Sequence, residues 1–216
     1  MDGIPANAPL DYHLWYYNLE IWKRTTWAGA NALKSPLDMW NYQELLFERR
    51  PSLIVEFGTC FGGATLFFAT ILRELGGRGR VITVDIDPSN IHPRVRQDPL
   101  IEVLTMSSTE PHVAARITLL REAFPGPLFA VLDSDHHRDH VLAELGLLRG
   151  LTRSGDYVVV EDGNINGHPV LPGWGPGPFE AMESYFVNHP EDYERDLARE
   201  EKFGFSFATR GFLIRR

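Results

Sequence analysis

Short runs of mostly apolar residues recur along the chain, and each ends in polar or glycine residues. These runs lie at 53–57, 80–87, 100–104, 127–132 and 155–160. Such runs are typical of parallel strands buried on both faces of a sheet. The segments between them have helical composition or spacing and lie at 64–75, 110–124 and 136–149. This alternation predicts an α/β fold with a mostly parallel sheet.

The last part of the chain predicts a different arrangement of strands. A helix is expected over 179–188, and the segments 193–199 and 205–214 then predict a closing antiparallel pair, with glycines at its irregular points. The sheet should therefore be parallel at its centre and antiparallel at one edge.

The first 50 residues are rich in aromatic side chains and predict a helical layer on the sheet. A first helix should give way to a loop from Gly29 to Pro36, and a second helix should run from Leu37 to Arg49 with Ser35 as its N-cap. We interpret residues 1–50 as one segment, a lid or an oligomer contact, and residues 51–216 as the main domain.

Composition narrows the class of protein. The chain has 216 residues, 44% of them hydrophobic, which suits one globular domain with a sizeable core. A net charge of -8 argues against a nucleic-acid partner. The single cysteine fits a reducing compartment, and no apolar stretch has the length of a membrane span or signal core. We therefore expect a cytoplasmic protein without a membrane partner.

The first apolar run leads into a glycine-rich turn and then a helix, which is typical of nucleotide-binding α/β units. Its glycines, Gly58, Gly62 and Gly63, do not have the spacing of a dinucleotide fingerprint. Glu56 lies at the end of the strand, where a carboxylate would repel a pyrophosphate but suits the sulfonium and ammonium of S-adenosylmethionine. The alternative is an acid that caps the turn.

Polar residues also follow the second and third runs. Asp85 ends the second run at the edge where open α/β sheets bind ligands, and its carboxylate suits the ribose hydroxyls of S-adenosylmethionine or NAD. We interpret Asp87 as a helix cap. The hydroxyl residues of Thr105-Met-Ser-Ser-Thr109 either bind the edge of an adenine or cap the helix expected near Glu110.

The fourth and fifth runs end in the most ligand-rich residues of the chain. Asp133 follows one run, and Glu161 and Asp162 follow the next. If these runs are neighbouring strands, the three carboxylates repel each other unless a cation binds. Ligation by oxygen alone favours a hard ion, most of all Mg²⁺.

Histidines accompany Asp133 in the stretch Asp133-Ser-Asp-His-His-Arg-Asp-His140. His136 and His140 have the spacing of half a zinc site, but neither the intervening glutamate nor a third ligand is present. We interpret His137 and His140 as surface residues and Asp135 as the N-cap of the next helix. The Gly- and Pro-rich stretch 163–178 predicts a long irregular loop over the site.

Five motifs together carry a resemblance to a known family. They are Lys34-Ser-Pro-Leu-Asp-Met-Trp-Asn-Tyr-Gln43, Glu56-Phe-Gly-Thr59 with Gly62-Gly63, Asp133-Ser-Asp-His136, Glu161-Asp162 and Gly175-Pro-Gly-Pro178. The chain resembles class I S-adenosylmethionine-dependent methyltransferases. More specifically, it resembles the cephalosporin hydroxylase family, which includes O-methyltransferases of rhamnose and macrolide sugars. The stretches Gly79-Arg-Val-Ile-Thr-Val-Asp-Ile-Asp-Pro88 and Leu132-Asp133 are also similar to catechol O-methyltransferase.

The resemblance implies a Rossmann-like domain with a seven-stranded, mostly parallel sheet, a terminal antiparallel hairpin and an N-terminal helical layer. It also implies roles for site residues. The residues expected to contact S-adenosylmethionine are Glu56, Gly58, Thr59, Gly62, Asp85, Ser107, Ser108 and Asp133. Those expected to hold Mg²⁺ are Asp133, Glu161 and Asp162, and the catalytic residues are His136, as general base, and Asp133. Many relatives have serine where this chain has Ala64, so Thr59 or Thr65 should replace its contact.

The predicted function is Mg²⁺-dependent O-methyl transfer to a small molecule with neighbouring hydroxyls, such as a sugar or another natural product, by a protein that self-associates. Two alternatives stay open at this point. One is an NAD-dependent oxidoreductase, and the other is a non-catalytic accessory protein that binds the cofactor for a partner enzyme.

Overall fold

The computed structural model describes residues 7–216. Over these residues the strands are β1 (Thr26–Trp27), β2 (Ala30–Asn31), β3 (Leu53–Phe57), β4 (Arg80–Asp85), β5 (Ile101–Thr105), β6 (Leu128–Leu132), β7 (Tyr157–Val160), β8 (Tyr193–Arg195) and β9 (Phe212–Arg215). The α-helices are α1 (Ala8–Asn18), α2 (Pro36–Arg49), α3 (Gly63–Glu74), α4 (Pro93–Gln97), α5 (Pro111–Ala123), α6 (Arg138–Arg149), α7 (Pro178–Asn188) and α8 (Leu197–Glu201). A 3₁₀ turn spans Ile21–Arg24.

Seven strands form one sheet in the order β5-β4-β3-β6-β7-β9-β8. The pairs from β5 to β7 are parallel, whereas β9 pairs antiparallel with both β7 and β8. This confirms the predicted α/β fold with a seven-stranded, mostly parallel sheet and an antiparallel pair at its end. It also places β6 next to β7, as the predicted grouping of their terminal acids requires.

Helices cover both faces of the sheet, and the alternation of side chains along β3 shows how. Leu53, Val55 and Phe57 point into one core together with side chains of α5, α6 and α7. Ile54 points to the other face, into the core that includes side chains of α2 and α3. Since successive residues of a strand face opposite sides, Glu56 points to the same face as Ile54 and is buried.

The terminal antiparallel pair is shorter than predicted. The expected strand over 205–214 begins only at Phe212, and α8 lies within the connection that precedes it. The backbone before Phe212 makes other contacts: Phe207 N donates to Asp38 Oδ2 (2.9 Å), and Phe207 O accepts from Asn164 N (3.1 Å). This segment therefore links α2 to the loop after β7 by hydrogen bonds and does not extend the edge strand.

The N-terminal segment is more structured than the sequence predicted. A β1–β2 hairpin, in which Thr26 pairs with Asn31, begins before the loop expected from Gly29 to Pro36 and takes up its first residues. A Cβ on Gly63 would lie 2.3 Å from the carbonyl oxygen of Asn31, so this hairpin packs directly on the start of α3. The first six residues of the predicted 1–50 segment lie outside the described residues. Within residues 7–216, no helix is long and apolar enough to cross a membrane.

Gly58 joins the turn after β3 to the residue after β6. Its φ is +95°, and a Cβ at this position would lie 2.0 Å from the carbonyl oxygen of Asp133. Positive φ favours glycine, but the contact with Asp133 excludes any side chain at this point. The glycine turn and the backbone of Asp133 are therefore in direct contact.

We expect Gly58→Ala to lower the free energy of unfolding more than a glycine substitution that changes φ preference alone. Gly155 has φ +91° and nothing within 4 Å of its would-be Cβ, so Gly155→Ala is the matched control. The control should cost about 1–2 kcal/mol from backbone strain. Gly58→Ala should cost at least about 2 kcal/mol more, because the new methyl group overpacks backbone atoms. Urea unfolding measures both, and equal losses would contradict the expected clash.

Candidate active site

A cavity of about 1000 Å³ opens at the carboxyl ends of the central strands. This is the edge at which open α/β sheets bind ligands. Its lining includes Gly58 from the turn after β3, Asp85 at the end of β4, and Asp133 after β6. Two further walls come from the N-terminal segment and from the irregular loop before α7.

Asp85 is fixed in the cavity wall by two backbone amides. Its Oδ2 accepts a hydrogen bond from Cys60 N at 2.7 Å, and its Oδ1 accepts one from Asp87 N at 2.9 Å. Asp87 in turn accepts from Ser89 N and closes a local turn. The interpretation of Asp87 as a helix cap is wrong, because α4 begins only at Pro93 and its N-cap side chain is that of His92.

Ser107 and Ser108 also line the cavity. Ser108 Oγ donates to Oε1 of the fully buried Glu144 (2.5 Å) and lies 3.0 Å from His140 Nε2. Neither serine caps the next helix, because Glu110 is the N-cap of α5 and no side chain caps that end. The capping alternative is therefore wrong for these two serines, and their contact with an adenine remains a prediction.

The start of α6, its expected N-cap and one histidine also differ from prediction. The helix expected from His136 begins at Arg138, with His137 as its N-cap, while Asp135 Oδ1 accepts from His137 N at 2.9 Å within the preceding turn. His140 lines the cavity and is only partly exposed, so its interpretation as an ordinary surface residue is wrong. His137 is largely exposed, although its ring also borders the cavity.

Three predicted cofactor contacts lie behind the cavity wall. Among the described residues, the lining leaves out Glu56, Thr59 and Gly62. Glu56 Oε2 accepts hydrogen bonds from Thr65 Oγ1 (2.5 Å) and Thr83 Oγ1 (2.6 Å), and burial raises the pKa of Glu56 to about 7. These three contacts with a cofactor remain predictions.

The rim acids, Asp133, Glu161 and Asp162, come together at the ends of β6 and β7, as predicted. Asp133 and Asp162 face the cavity, and His136 joins them: one ligand atom from each of these three residues lies within 4.8 Å of the others. His136 Nε2 is 3.0 Å from Asp162 Oδ2. Asp162 has a positive φ of 53°, a backbone conformation that costs energy and is concentrated at functional sites.

Glu161 is turned toward the protein interior. It is 2% exposed, its Oε1 accepts a hydrogen bond from Tyr42, and the ammonium of Lys34 lies 3.1 Å from the same oxygen. Lys34 Nζ also donates to Asp133 Oδ2. Lys34 therefore bridges two rim acids, and Glu161 as a metal ligand remains a prediction.

The charges of these groups shift one another's pKa values. Burial alone would lower the pKa of His136, but the charges of Asp162 and Asp133 outweigh it and raise the pKa to about 9. Burial raises the pKa of Glu161 to about 8, although Lys34 opposes the rise. For Asp162, burial acts upward, but His136 holds the pKa below its ordinary value. The acids of the cluster thus stabilise the protonated form of His136.

The irregular loop forms a fixed wall of the cavity. Glu180 at the start of α7 accepts hydrogen bonds from Asn166 Nδ2 (2.9 Å) and Gly177 N (2.7 Å), and His168 Nε2 lies 2.9 Å from its Oε1. Between these anchors, Leu171 and Trp174 line the cavity and are both more than a third exposed. The loop has no regular secondary structure, as predicted, and it is hydrogen-bonded internally. That it covers the site remains a prediction.

Several site residues were missed from the sequence. Lys34 and Tyr42 belong to a motif used for the family resemblance, yet no role was assigned to them. Tyr17, Trp22 and Leu33 bring the N-terminal segment into the cavity wall. The many aromatic residues of that segment are consistent with a place in the cavity wall, but aromatic residues are equally typical of a buried layer or an interface.

Comparison with known proteins identifies relatives over almost the entire chain. The family model described as Rhamnosyl O-methyltransferase/CmcI matches residues 19–216. The rhamnosyl O-methyltransferase of Mycobacterium tuberculosis H37Rv is 53% identical over 212 residues, which cover 98% of this chain and 86% of that protein. The rhamnosyl O-methyltransferase of Mycobacterium leprae is 53% identical over 206 residues, covering 95% and 90%.

Solved structures show the same fold at lower identity. CmcI with Mg and SAM has a TM-score of 0.72 at 22% identity, covering 90% of this chain and 77% of that chain. CmcI with SAH has a TM-score of 0.70 at 23% identity, covering 100% and 95%. These comparisons confirm the predicted family and the predicted enzyme class, an O-methyltransferase. The chain belongs to the rhamnosyl O-methyltransferase/CmcI family.

Proposed function

We propose that this enzyme transfers a methyl group from S-adenosylmethionine to a hydroxyl of a sugar residue, with Mg²⁺ bound at the rim acids. The observation that carries the proposal is the convergence of Asp133, His136 and Asp162 within 4.8 Å at the edge of a cavity of about 1000 Å³. The names of the relatives, rhamnosyl O-methyltransferases, support a sugar hydroxyl as the acceptor. They favour methyl transfer over hydride transfer to NAD and over an accessory role.

The cofactor is proposed to occupy the part of the cavity bounded by Asp85 and the serines after β5. Asp85 is held by two amides and keeps lone pairs for the ribose hydroxyls. Ser107 and Ser108 suit the edge of the adenine. The glycine turn at Gly58 keeps the backbone free of side chains beside the donor. CmcI, the fold neighbour, has been solved with Mg and SAM and with SAH, which supports this choice of cofactor and ion.

The residues at the rim fit a hard divalent ion. Asp133 and Asp162 offer carboxylate oxygens, which Mg²⁺ prefers, and His136 lies within the same cluster. Glu161 is proposed as a further ligand through the oxygen that Tyr42 and Lys34 do not occupy. When bound, the ion would lower the pKa of the acceptor hydroxyl.

His136 is proposed as the general base. Asp162 Oδ2, at 3.0 Å from Nε2, fixes the orientation of the ring. A base must be neutral before it accepts a proton, and the rim carboxylates raise the pKa of His136 to about 9. Positive charge at the rim offsets this effect, so His136 accepts the hydroxyl proton best when the carboxylates are paired with a cation.

The aromatic wall of the cavity is proposed to bind the acceptor. It is formed by Tyr17 and Trp22 from the N-terminal segment and by Trp174 from the loop. This arrangement supports the interpretation of the N-terminal segment as part of the lid. The same segment leaves four apolar side chains exposed on α1 and at its C-cap, which supports a contact with a second copy of the chain. They are Leu10, Tyr12, Trp15 and Leu19.

The first test removes the rim charges. Asp133→Asn and Asp162→Asn should each lower kcat for methyl transfer from S-adenosylmethionine to a rhamnoside by at least about a hundredfold, because the ion loses a ligand. Cofactor affinity, measured by calorimetry, should change little. Asp139→Asn is the matched control, since Asp139 is 82% exposed on α6. Full activity of the wild type in EDTA would show that the metal role is wrong.

The second test concerns the acceptor wall. Trp174 lines the cavity and is 38% exposed, so part of its ring surface is open to a sugar ring. Trp174→Ala should raise KM for the rhamnoside about tenfold, as expected for loss of about 1–1.5 kcal/mol of aromatic contact. The affinity for S-adenosylmethionine should be unchanged.

The matched control for this wall is Trp40→Ala, because Trp40 is 59% exposed on α2 and does not line the cavity. The loop would not form the acceptor wall if Trp174→Ala left KM for the acceptor unchanged. The same conclusion would follow if it lowered the affinity for S-adenosylmethionine about as much as it raised KM for the acceptor.

A further inference from the structure

Lys34 is a buried ammonium among carboxylates. Its side chain is 4% exposed, and its Nζ donates to Asp133 Oδ2 and lies 3.1 Å from Glu161 Oε1. The two carboxyl groups stabilise its positive charge in place of water. Taking an ammonium out of water costs several kcal/mol, and a buried lysine is stable only when it is paired.

Lys34 contacts the rim acids from the protein interior, on the side away from the cavity. Asp133 and Asp162 face the cavity, whereas Lys34 and Glu161 are 4% and 2% exposed behind them. Within residues 7–216, no other lysine or arginine forms an ion pair with the rim acids. Three carboxyl groups and one buried ammonium thus lie together at this edge of the cavity.

Tyr42 completes this inner side. It is fully buried on α2, and its hydroxyl donates to Glu161 Oε1, the same oxygen that faces Lys34. Lys34 and Tyr42 therefore hold one oxygen of Glu161 from the α2 side. These contacts place Lys34 directly behind the residues proposed to bind the ion, and not in a separate part of the core.

We propose that Lys34 is a positioning residue that acts as a permanent counter-ion of the rim. It keeps Asp133 and Glu161 adjacent when no divalent ion is bound, and its charge keeps the affinity for that ion moderate. The inference rests on the proposed function only in taking the rim as the ion site. The ammonium of Lys34 and a divalent cation a few ångströms away repel each other. Removing the charge of Lys34 should therefore strengthen ion binding and lower the stability of the ion-free protein.

The test compares Lys34→Met, which keeps the length of the side chain without its charge, with the wild type. Calorimetric titration with Mg²⁺ and Mn²⁺ in the absence of S-adenosylmethionine gives the ion affinity, and thermal unfolding in EDTA gives the ion-free stability. We expect Lys34→Met to lower Tm in EDTA, to bind both ions at least about tenfold more tightly, and to recover much of the lost Tm when the ion saturates it.

The control is Lys202→Met, which removes an exposed lysine paired with Glu44 and should change neither the ion affinity nor its effect on Tm. A structural ion pair alone predicts a loss of Tm that the ion does not restore. Unchanged or weaker ion binding by Lys34→Met would therefore overturn the inference.

Lys34→Gln covers the case in which Lys34→Met does not fold in EDTA. Its amide still donates a hydrogen bond but carries no charge, and it should tighten ion binding in the same direction. Equal affinity of Lys34→Gln and the wild type would reject the inference. If the wild type bound neither ion, the proposed ion site itself would be wrong, a result distinct from equal binding by all variants.

Discussion

The placement of three carboxylates at the ends of two adjacent strands is the constraint on which this site depends. Asp133 and Glu161 follow β6 and β7, which are hydrogen-bonded neighbours, and the amide of Glu161 donates to the carbonyl of Leu132 at 3.0 Å. Two such acids repel each other when they are partly withdrawn from water. Lys34 relieves this repulsion from the inner side, and it reaches the rim because α2 packs across the same face of the sheet.

The sheet order explains why the chemistry is located at one edge. With β3 between β4 and β6, the glycine turn after β3 lies beside both Asp85 and Asp133. Asp85, Asp133 and Asp162 then border one cavity, although they are far apart in the sequence. The antiparallel strand β9 ends the parallel series beside β7, and the segment that precedes β9 is tied to Asp38 on α2.

Much of the fold and part of the site could be predicted from local patterns. The apolar runs located the central strands, and the acids after them identified Asp85, Asp133 and Asp162 as residues at the functional edge. Those inferences rest on the parallel sheet, in which the carboxyl ends of all strands lie together. The pairing of Lys34 with Asp133 could not be read in this way, because it joins residues 99 positions apart. Nor could the inward direction of Glu161, since it depends on the packing of Tyr42.

The loop before α7 has a consequence for how the enzyme could be adapted to other acceptors. Three contacts with the carboxylate of Glu180 hold this loop in one position. Because the loop backbone is held in place, exposed side chains of the loop can be substituted singly without moving the rest of the loop. Under the proposed function, Leu171 and Trp174 are then the positions at which substitutions would change acceptor selectivity without altering the proposed ion site.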